Sequence, residues 1–199
     1  MIEIILATRS AGKLAEMRAL CAALPWHWRG LEEFPSVPDA PENGDTFAAN
    51  ARQKALFYAR RTGGLTLADD SGLEVDCLDG APGVHSAYYA GHPRNDSANN
   101  SRLIAALAGV PPQRRTARFR CCMALARLDQ IVFETSGTFE GLIIDAPRGG
   151  GGFGYDPHFL IPSLQLTSAE LSTEHKNAIS HRGQALRSMI DLMIERLGA

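Results

Sequence analysis

With 199 residues, 45% of them hydrophobic, the chain is long enough to bury a sizeable core, and its composition excludes a disordered or fibrous protein. Lys and Arg number 20 against 22 Asp and Glu, a formal net charge of -2, so no global basic field exists to hold a nucleic-acid backbone and any anionic ligand must be met by locally gathered cations. No apolar run approaches transmembrane length, the N-terminal stretch lacks a basic segment and a signal-length apolar core, and Cys21, Cys77, Cys121 and Cys122 form no C-x-x-C pair. The expectation is a soluble cytoplasmic protein with reduced, mostly buried thiols and no membrane or nucleic-acid partner.

Ile2 to Ala7 reads as a buried strand, and Leu14, Met17, Leu20 and Leu24 then recur at helical spacing after Gly12. Pro35, Pro38, Pro41 and Gly44 mark an irregular connection. Thr46 caps a helix running to Arg60, and Gly63-Gly64 stops it. Leu65 to Ala68 gives a second buried strand, and Gly80 to Gly91 is too rich in Gly and Pro to be regular. Asp96 to Leu107 reads as a helix.

From Ala117 to Arg127 the pattern alternates, with Phe119, Cys121, Met123 and Leu125 on one face, and Ile131-Val132-Phe133 follows a turn at Asp129 as the second arm of a hairpin. Gly137 to Leu142 continues strand-like, and Gly149 to Gly152 reads as a mobile break. Ser180 to Leu197 is a final helix with Leu186, Met189, Ile190, Met193 and Leu197 along one side. Strands interleaved with helices, plus a hairpin, predict an α/β fold with a mixed sheet.

Five segments carry chemistry. Asp69-Asp70-Ser71-Gly72 closes the apolar run at 65–68. Two adjacent acids at the mouth of a buried strand cost solvation free energy that a divalent cation offsets, and strand alternation sends them to opposite faces with different tasks. Thr8-Arg9-Ser10-Ala11-Gly12-Lys13 joins a strand to a helix, where free backbone N–H groups favour a phosphate and Lys13 adds a charge, although the spacing is not that of a Walker loop. Asn50 and Lys54 share a helix face, with Glu42 ahead of the helix. Gly152-Phe153-Gly154-Tyr155-Asp156-Pro157 alternates rings with glycines, which suits stacking on a flat base. His175 to Gly183 gathers basic donors in a loop before a helix, in opposition to the macrodipole unless an anion or carbonyl arrives.

Taken in order, these blocks, with Gly80-Ala81-Pro82-Gly83-Val84 and Ser180-His181-Arg182-Gly183, resemble the inosine triphosphate pyrophosphatase family, the house-cleaning RdgB and HAM1 proteins, over nearly the whole chain. The resemblance implies a single domain over residues 1–199, an elongated two-lobed α/β fold with a central mixed β-sheet flanked by helices and a cleft between the lobes. It also implies a homodimer that hydrolyses inosine, deoxyinosine and xanthosine triphosphates to the monophosphate and pyrophosphate with Mg²⁺. Carried over block by block, Asp70 is the general base or a metal-linked acid, with Glu42 and Asp70 on the metal. Thr8, Arg9, Ser10, Ala11, Gly12, Lys13, Lys54 and Ser71 hold the triphosphate, and Phe153, Gly154, Tyr155, Asp156, Lys176, His181 and Arg182 form the base pocket.

Two positions depart from the family pattern: Ser10 stands where Asn is usual, and Tyr88 where an Arg is usual, which leaves Arg94 or Arg102 to brace any acid that Arg would hold. The competing readings are a Maf-type pyrophosphatase of pyrimidine or modified nucleotides and a non-catalytic nucleotide- or RNA-binding module. The slightly acidic chain argues against the latter.

Overall fold

The computed structural model describes residues 2–22 and 24–197, the side chain of Leu197 excepted, so the expected place of Leu197 on the last helix lies outside the described residues. In chain order the elements are β1 (Glu3–Leu6), α1 (Ala11–Cys21), β2 (His27–Gly30), α2 (Phe47–Thr62), β3 (Leu65–Val75), α3 (Asp96–Ala106), β4 (Thr116–Arg127), β5 (Gln130–Ile143), β6 (Phe159–Ile161), β7 (Leu166–Thr167), α4 (Thr173–Ile179) and α5 (His181–Leu197). The strands form one seven-stranded sheet in the order β2-β1-β3-β4-β5-β6-β7. It is mixed: β1 pairs in parallel with β2 and β3, whereas β6 is antiparallel to β5 and β7.

The chain divides into two compact units, Met1–Asp70 with Cys121–Gly137 and Arg182–Ala199, and Ser71–Arg120 with Thr138–His181. In the first, Ile4 and Leu6 of β1 and Leu65 and Leu67 of β3 pack with Met17 of α1 and Leu186, Met189 and Met193 of α5. In the second, Leu73 and Val75 of β3 join Leu103 and Leu107, Phe119, Phe139 and Phe159. The β4 face expected to act as one is therefore divided: Cys121, Met123 and Leu125 belong to the first core and Phe119 to the second. Residues 121–126 are also buried on both faces, where alternation predicts one.

Most predicted elements appear within a residue or two. Thr46 accepts a hydrogen bond from the Ala49 N–H, the expected N-cap of α2, and Gly63 ends that helix with φ 72°, a left-handed conformation natural to glycine. Leu128 and Asp129 are the two residues between β4 and β5, a connection so short that the strands must run antiparallel. All four cysteines are free thiols, and burial pushes Cys21 up to about 12 and Cys121 up as well, which keeps both protonated.

Other expectations are corrected. β2 falls in a stretch read as unstructured, because its four residues, HWRG, are too few to show a period. Residues Gly83–Tyr88, within the Gly- and Pro-rich segment, form a 3₁₀ turn. Within the exposed glycine run, Gly151 N–H bonds the Ala169 carbonyl at 3.0 Å, and a Cβ on Gly149 would fall 2.5 Å from the Ala169 carbonyl carbon.

The largest change concerns β3. The Asp69-Asp70 pair stands mid-strand, not at a strand mouth, because Leu73 and Val75 carry the strand on into the second core. Gly72 permits this passage. A Cβ there would lie 2.3 Å from Ser86 Oγ and 2.6 Å from the Gly83 carbonyl oxygen. Ser86 Oγ itself accepts from Leu73 N–H at 2.9 Å and donates to the Gly83 carbonyl at 2.6 Å. Gly72→Ala is therefore expected to destabilise the protein by about 1–3 kcal/mol through overpacking, read as a lower urea midpoint; an unchanged midpoint would show that the 83–86 turn yields without cost.

Candidate active site

The register of β1 against β3 places the first cluster. Leu6 pairs with Leu67 as the last residue of β1, and Ala7 N–H bonds the Leu67 carbonyl at 2.8 Å, so the chain turns away into the Thr8–Lys13 loop where β3 runs on through Asp69 and Asp70. That is the carboxyl end of a parallel pair, the side on which α/β sheets hold ligands. Alternation then separates the two acids. Asp69 continues the 65-67 face toward α1 and α5, and Asp70 takes the other face toward α2.

Asp69 Oδ2 is 2.9 Å from Lys13 Nζ and 3.5 Å from Arg182 Nη2, with its side chain wholly buried. Arg182 also ion-pairs with Glu16, an acid buried in α1. Asp70 Oδ2 accepts from Asn50 Nδ2 at 3.0 Å, and its Oδ1 is 3.4 Å from Lys54 Nζ. Lys54 Nζ lies 3.2 Å from Glu42 Oε1 as well, so Glu42 and Asp70 converge on one ammonium. Asn50 and Lys54 face the same way because they are one turn apart in α2.

The two aspartates differ electrostatically. Burial alone would raise Asp69, but Lys13, Arg182 and Lys54 outweigh it and hold the carboxyl far below its ordinary value. Asp70 is raised, because burial exceeds what Lys54, Lys13 and Asn50 return. Burial would likewise depress Lys54, and Asp70, Asp69 and Glu42 reverse the sign and keep the ammonium charged. Asp69, Asp70, Glu16 and Glu42 are four acids against the three cations Lys13, Lys54 and Arg182, an excess negative charge on the Asp70 side.

The Thr8–Lys13 loop suits an anion. Ser10, the N-cap of α1, makes no side-chain cap bond, and the first turn of α1 contains no acid. Thr8 Oγ1 accepts from Ser10 N–H at 3.2 Å, which shapes the turn. Ala11 and Gly12 open the helix. Arg9 points elsewhere, with Nη2 2.6 Å from the Val37 carbonyl and Nε 2.5 Å from Asp39 Oδ1, and ties down the proline-rich connection.

In the second unit, Asp156 Oδ2 accepts from Phe153 N–H at 2.8 Å and from Lys176 Nζ at 2.6 Å, with Lys176 Nζ 5.0 Å from the centre of the Phe153 ring. Tyr155 is not an exposed ring. It belongs to the second core and donates its hydroxyl to the Ser86 carbonyl at 2.8 Å, because an aromatic with a satisfied O–H gains more from burial than from exposure. Ser71 stands half-buried at the start of this unit.

The basic segment is also revised. Residues 173–179 are helical as α4, capped by Ser172, where a loop was expected. His181 opens α5 and stacks on Phe119, ring centres 5.0 Å apart. Arg182 belongs to the first unit, beside Asp69 and Glu16. A guanidinium 2% exposed there answers two buried acids. Glu16 is the residue that sequence reasoning left out of the site. Glu16 stands three residues after Lys13 on α1, and that i,i+3 acid–base spacing was the available signal.

The departures from the family pattern have structural counterparts. Tyr88 is exposed and stacks on His92, ring centres 4.1 Å apart, while Arg94 holds Asp96 through both oxygens at 2.8 and 3.2 Å. Arg102 lies over the Tyr89 ring instead.

A family model described as the Ham1 family matches residues 4–192. The chain belongs to the Ham1 family. Among its relatives in that family, the dITP/XTP pyrophosphatase of Geobacter sulfurreducens is 49% identical over 96% of each chain, and that of Desulforamulus reducens 47% identical over the same share. Among solved structures, a HAM1 protein from Coxiella burnetii covers 98% of this chain and 100% of its own, with TM-score 0.89 and 44% identity, and that of Staphylococcus aureus reaches 0.86 with 36% identity. The α/β fold with a mixed sheet is thus the Ham1 fold.

Proposed function

We propose that this Ham1-family chain hydrolyses inosine, deoxyinosine and xanthosine triphosphates to the monophosphate and pyrophosphate, and so clears them from the nucleotide pool. The relatives named dITP/XTP pyrophosphatase, 47–49% identical over nearly the full length, support the substrate class. The observation that carries the mechanism is the division of labour in β3: one aspartate fully neutralised by fixed cations, the next buried with its charge only partly answered.

Asp70 is the catalytic group in this reading. Its Oδ2 is committed to Asn50, and the less committed Oδ1 accepts a proton from the attacking water as oxygen bonds to the α-phosphorus and the bond to the β-phosphate bridge breaks. Burial makes this carboxylate a stronger base than an exposed one. Lys54, Lys13, Ser71 and the N–H groups at Ser10 to Gly12 hold phosphate oxygens, so that pyrophosphate leaves with its charge already compensated. Thr8 and Arg9 shape the loop that presents them.

Glu42 and Asp70 fit Mg²⁺. They are oxygen donors that converge on a single ammonium and carry the excess negative charge of the cluster. Mg²⁺ is usually held by one or two carboxylates together with substrate phosphates rather than by a protein cage. When bound, the ion would neutralise phosphate charge.

The base is read by the second unit, through Phe153, the backbone of Gly154 and Tyr155, Asp156, Lys176 and the neighbouring His181. The Lys176 ammonium is purely a donor, which favours the 6-carbonyl of hypoxanthine and xanthine over the 6-amino group of adenine. A donor left unpaired by the wrong base supports discrimination of about 10⁴-fold. A two-lobed single domain, a homodimer and a cytoplasmic setting complete the proposal; four free thiols agree with a reducing compartment. Among the described residues no helix is long and apolar enough to cross a membrane.

The test is pyrophosphate release from inosine triphosphate with and without Mg²⁺. The expected result is turnover that chelation with EDTA abolishes and Mg²⁺ restores, with adenosine triphosphate a poor substrate. Metal-independent turnover would remove the ion from the proposal, and no turnover on any purine triphosphate would remove the activity.

A further inference from the structure

Gly154 stands between Phe153 and Tyr155, and both polar groups of its backbone are taken by side chains of one helix. Its N–H donates to Asp96 Oδ2 at 2.9 Å, and its carbonyl accepts from Asn100 Nδ2 at 2.9 Å. Asp96 and Asn100 are four residues apart in α3 and share a face. Arg94 fixes the Asp96 carboxylate through both oxygens, and Asn95 caps the same turn by accepting from the Ala98 N–H at 3.0 Å. The Arg94 hydrogen bonds keep Asp96 below its ordinary value, so the acceptor stays charged.

The loop that this clamp grips has little preference of its own. Residues 149–152 are all glycine, and Gly149, Gly152 and Gly154 adopt positive φ. Such backbone loses more conformational freedom on ordering than any other, so external hydrogen bonds must select its shape. Tyr155 is pinned by its hydroxyl to Ser86, and Phe153 N–H by Asp156. The peptide groups of Gly154 join the two anchors. If they turn, the Phe153 ring moves relative to Lys176 Nζ.

We infer that the first turn of α3 is the positioning element of the base-reading loop: Arg94, Asp96 and Asn100 are positioning residues that set base selectivity through Gly154, without acting on the phosphates. The inference rests on the assignment of base reading to the Phe153–Asp156 loop and Lys176.

The experiment compares kcat/KM for inosine and adenosine triphosphates in the full-length protein and in Asn100→Ala, Asp96→Ala and Lys176→Ala. Each α3 variant is expected to lower the inosine-to-adenosine ratio about five- to tenfold, the value of one hydrogen bond, through a higher KM for inosine triphosphate with kcat maintained. The two release opposite ends of one peptide, so either reports if the other fails to fold. A ratio unchanged in both while Lys176→Ala lowers it overturns the α3 clamp and leaves the base-reading assignment standing. A fall in kcat with the ratio intact also overturns the clamp, since that marks a structural role only. A ratio unchanged in all three overturns the base-reading assignment and the clamp with it.

Discussion

Asp70→Asn is expected to lower kcat for pyrophosphate release by about 10³-fold, within the range of a lost general base, and at the same time to raise the melting temperature. The two effects share one cause. Burial raises the Asp70 pKa above its unfolded value, so the folded state holds that proton more tightly than the unfolded chain does. Asp70 therefore favours folding while protonated. Its contribution is lost as pH rises from about 4 through the raised folded value, and at neutral pH the ionised group opposes folding.

Asn is isosteric, keeps an oxygen for Asn50 Nδ2 and removes the cost of the charge. Lys54 retains Glu42. Such a trade between stability and activity is characteristic of a group held ionised for chemistry. Near-normal turnover would remove Asp70 from the mechanism, whereas a lower melting temperature would show that its charge is compensated rather than buried at a cost.

For the neighbouring residue the expectation reverses. Asp69→Asn should destabilise the fold by about 3–5 kcal/mol, because it removes the charge of a buried acid that faces both Lys13 and Arg182. The pH dependence has the opposite sign as well. Asp69 is held below its unfolded value, so its stabilisation is fully present above about pH 4 and is lost as pH falls toward the folded value.

Urea titrations from pH 7 to pH 3 should show wild type losing stability at the acid end while Asp69→Asn loses less. Parallel curves would mean that Asp69 does not carry the acid sensitivity. Arg182→Met should destabilise comparably and leave the inosine-to-adenosine ratio unchanged, the result that separates a cluster anchor from a base contact.

The fold was legible where local signals were strong. Thr46 and Gly63 bound α2 as capping chemistry requires, and the β4–β5 hairpin follows from two runs and a short turn. β2 and α4 escaped because four and seven residues are too short to display a period against their neighbours. Tyr155 and Phe153 looked alike in a glycine-rich loop. Their fates differ because a carbonyl, that of Ser86, lies within reach of only the tyrosine hydroxyl in the second core.

By itself the sequence determined which residues are chemically able to serve: two adjacent acids on a strand, an amide and a lysine one turn apart, a loop with a free helix start, and the period of two that sends Asp69 and Asp70 to opposite faces. Tertiary structure decided which partner each one meets. Glu16 and Arg182 are 166 positions apart, and only the packing of α1 and α5 against one face of β3 brings Arg182 to Glu16 and, with Lys13, to Asp69. Asp70 is left with α2, Asn50 and Lys54, and a charge that burial makes costly. Side-chain type and spacing are local properties of the chain, but desolvation and charge pairing depend on what the rest of the chain brings within a few ångströms.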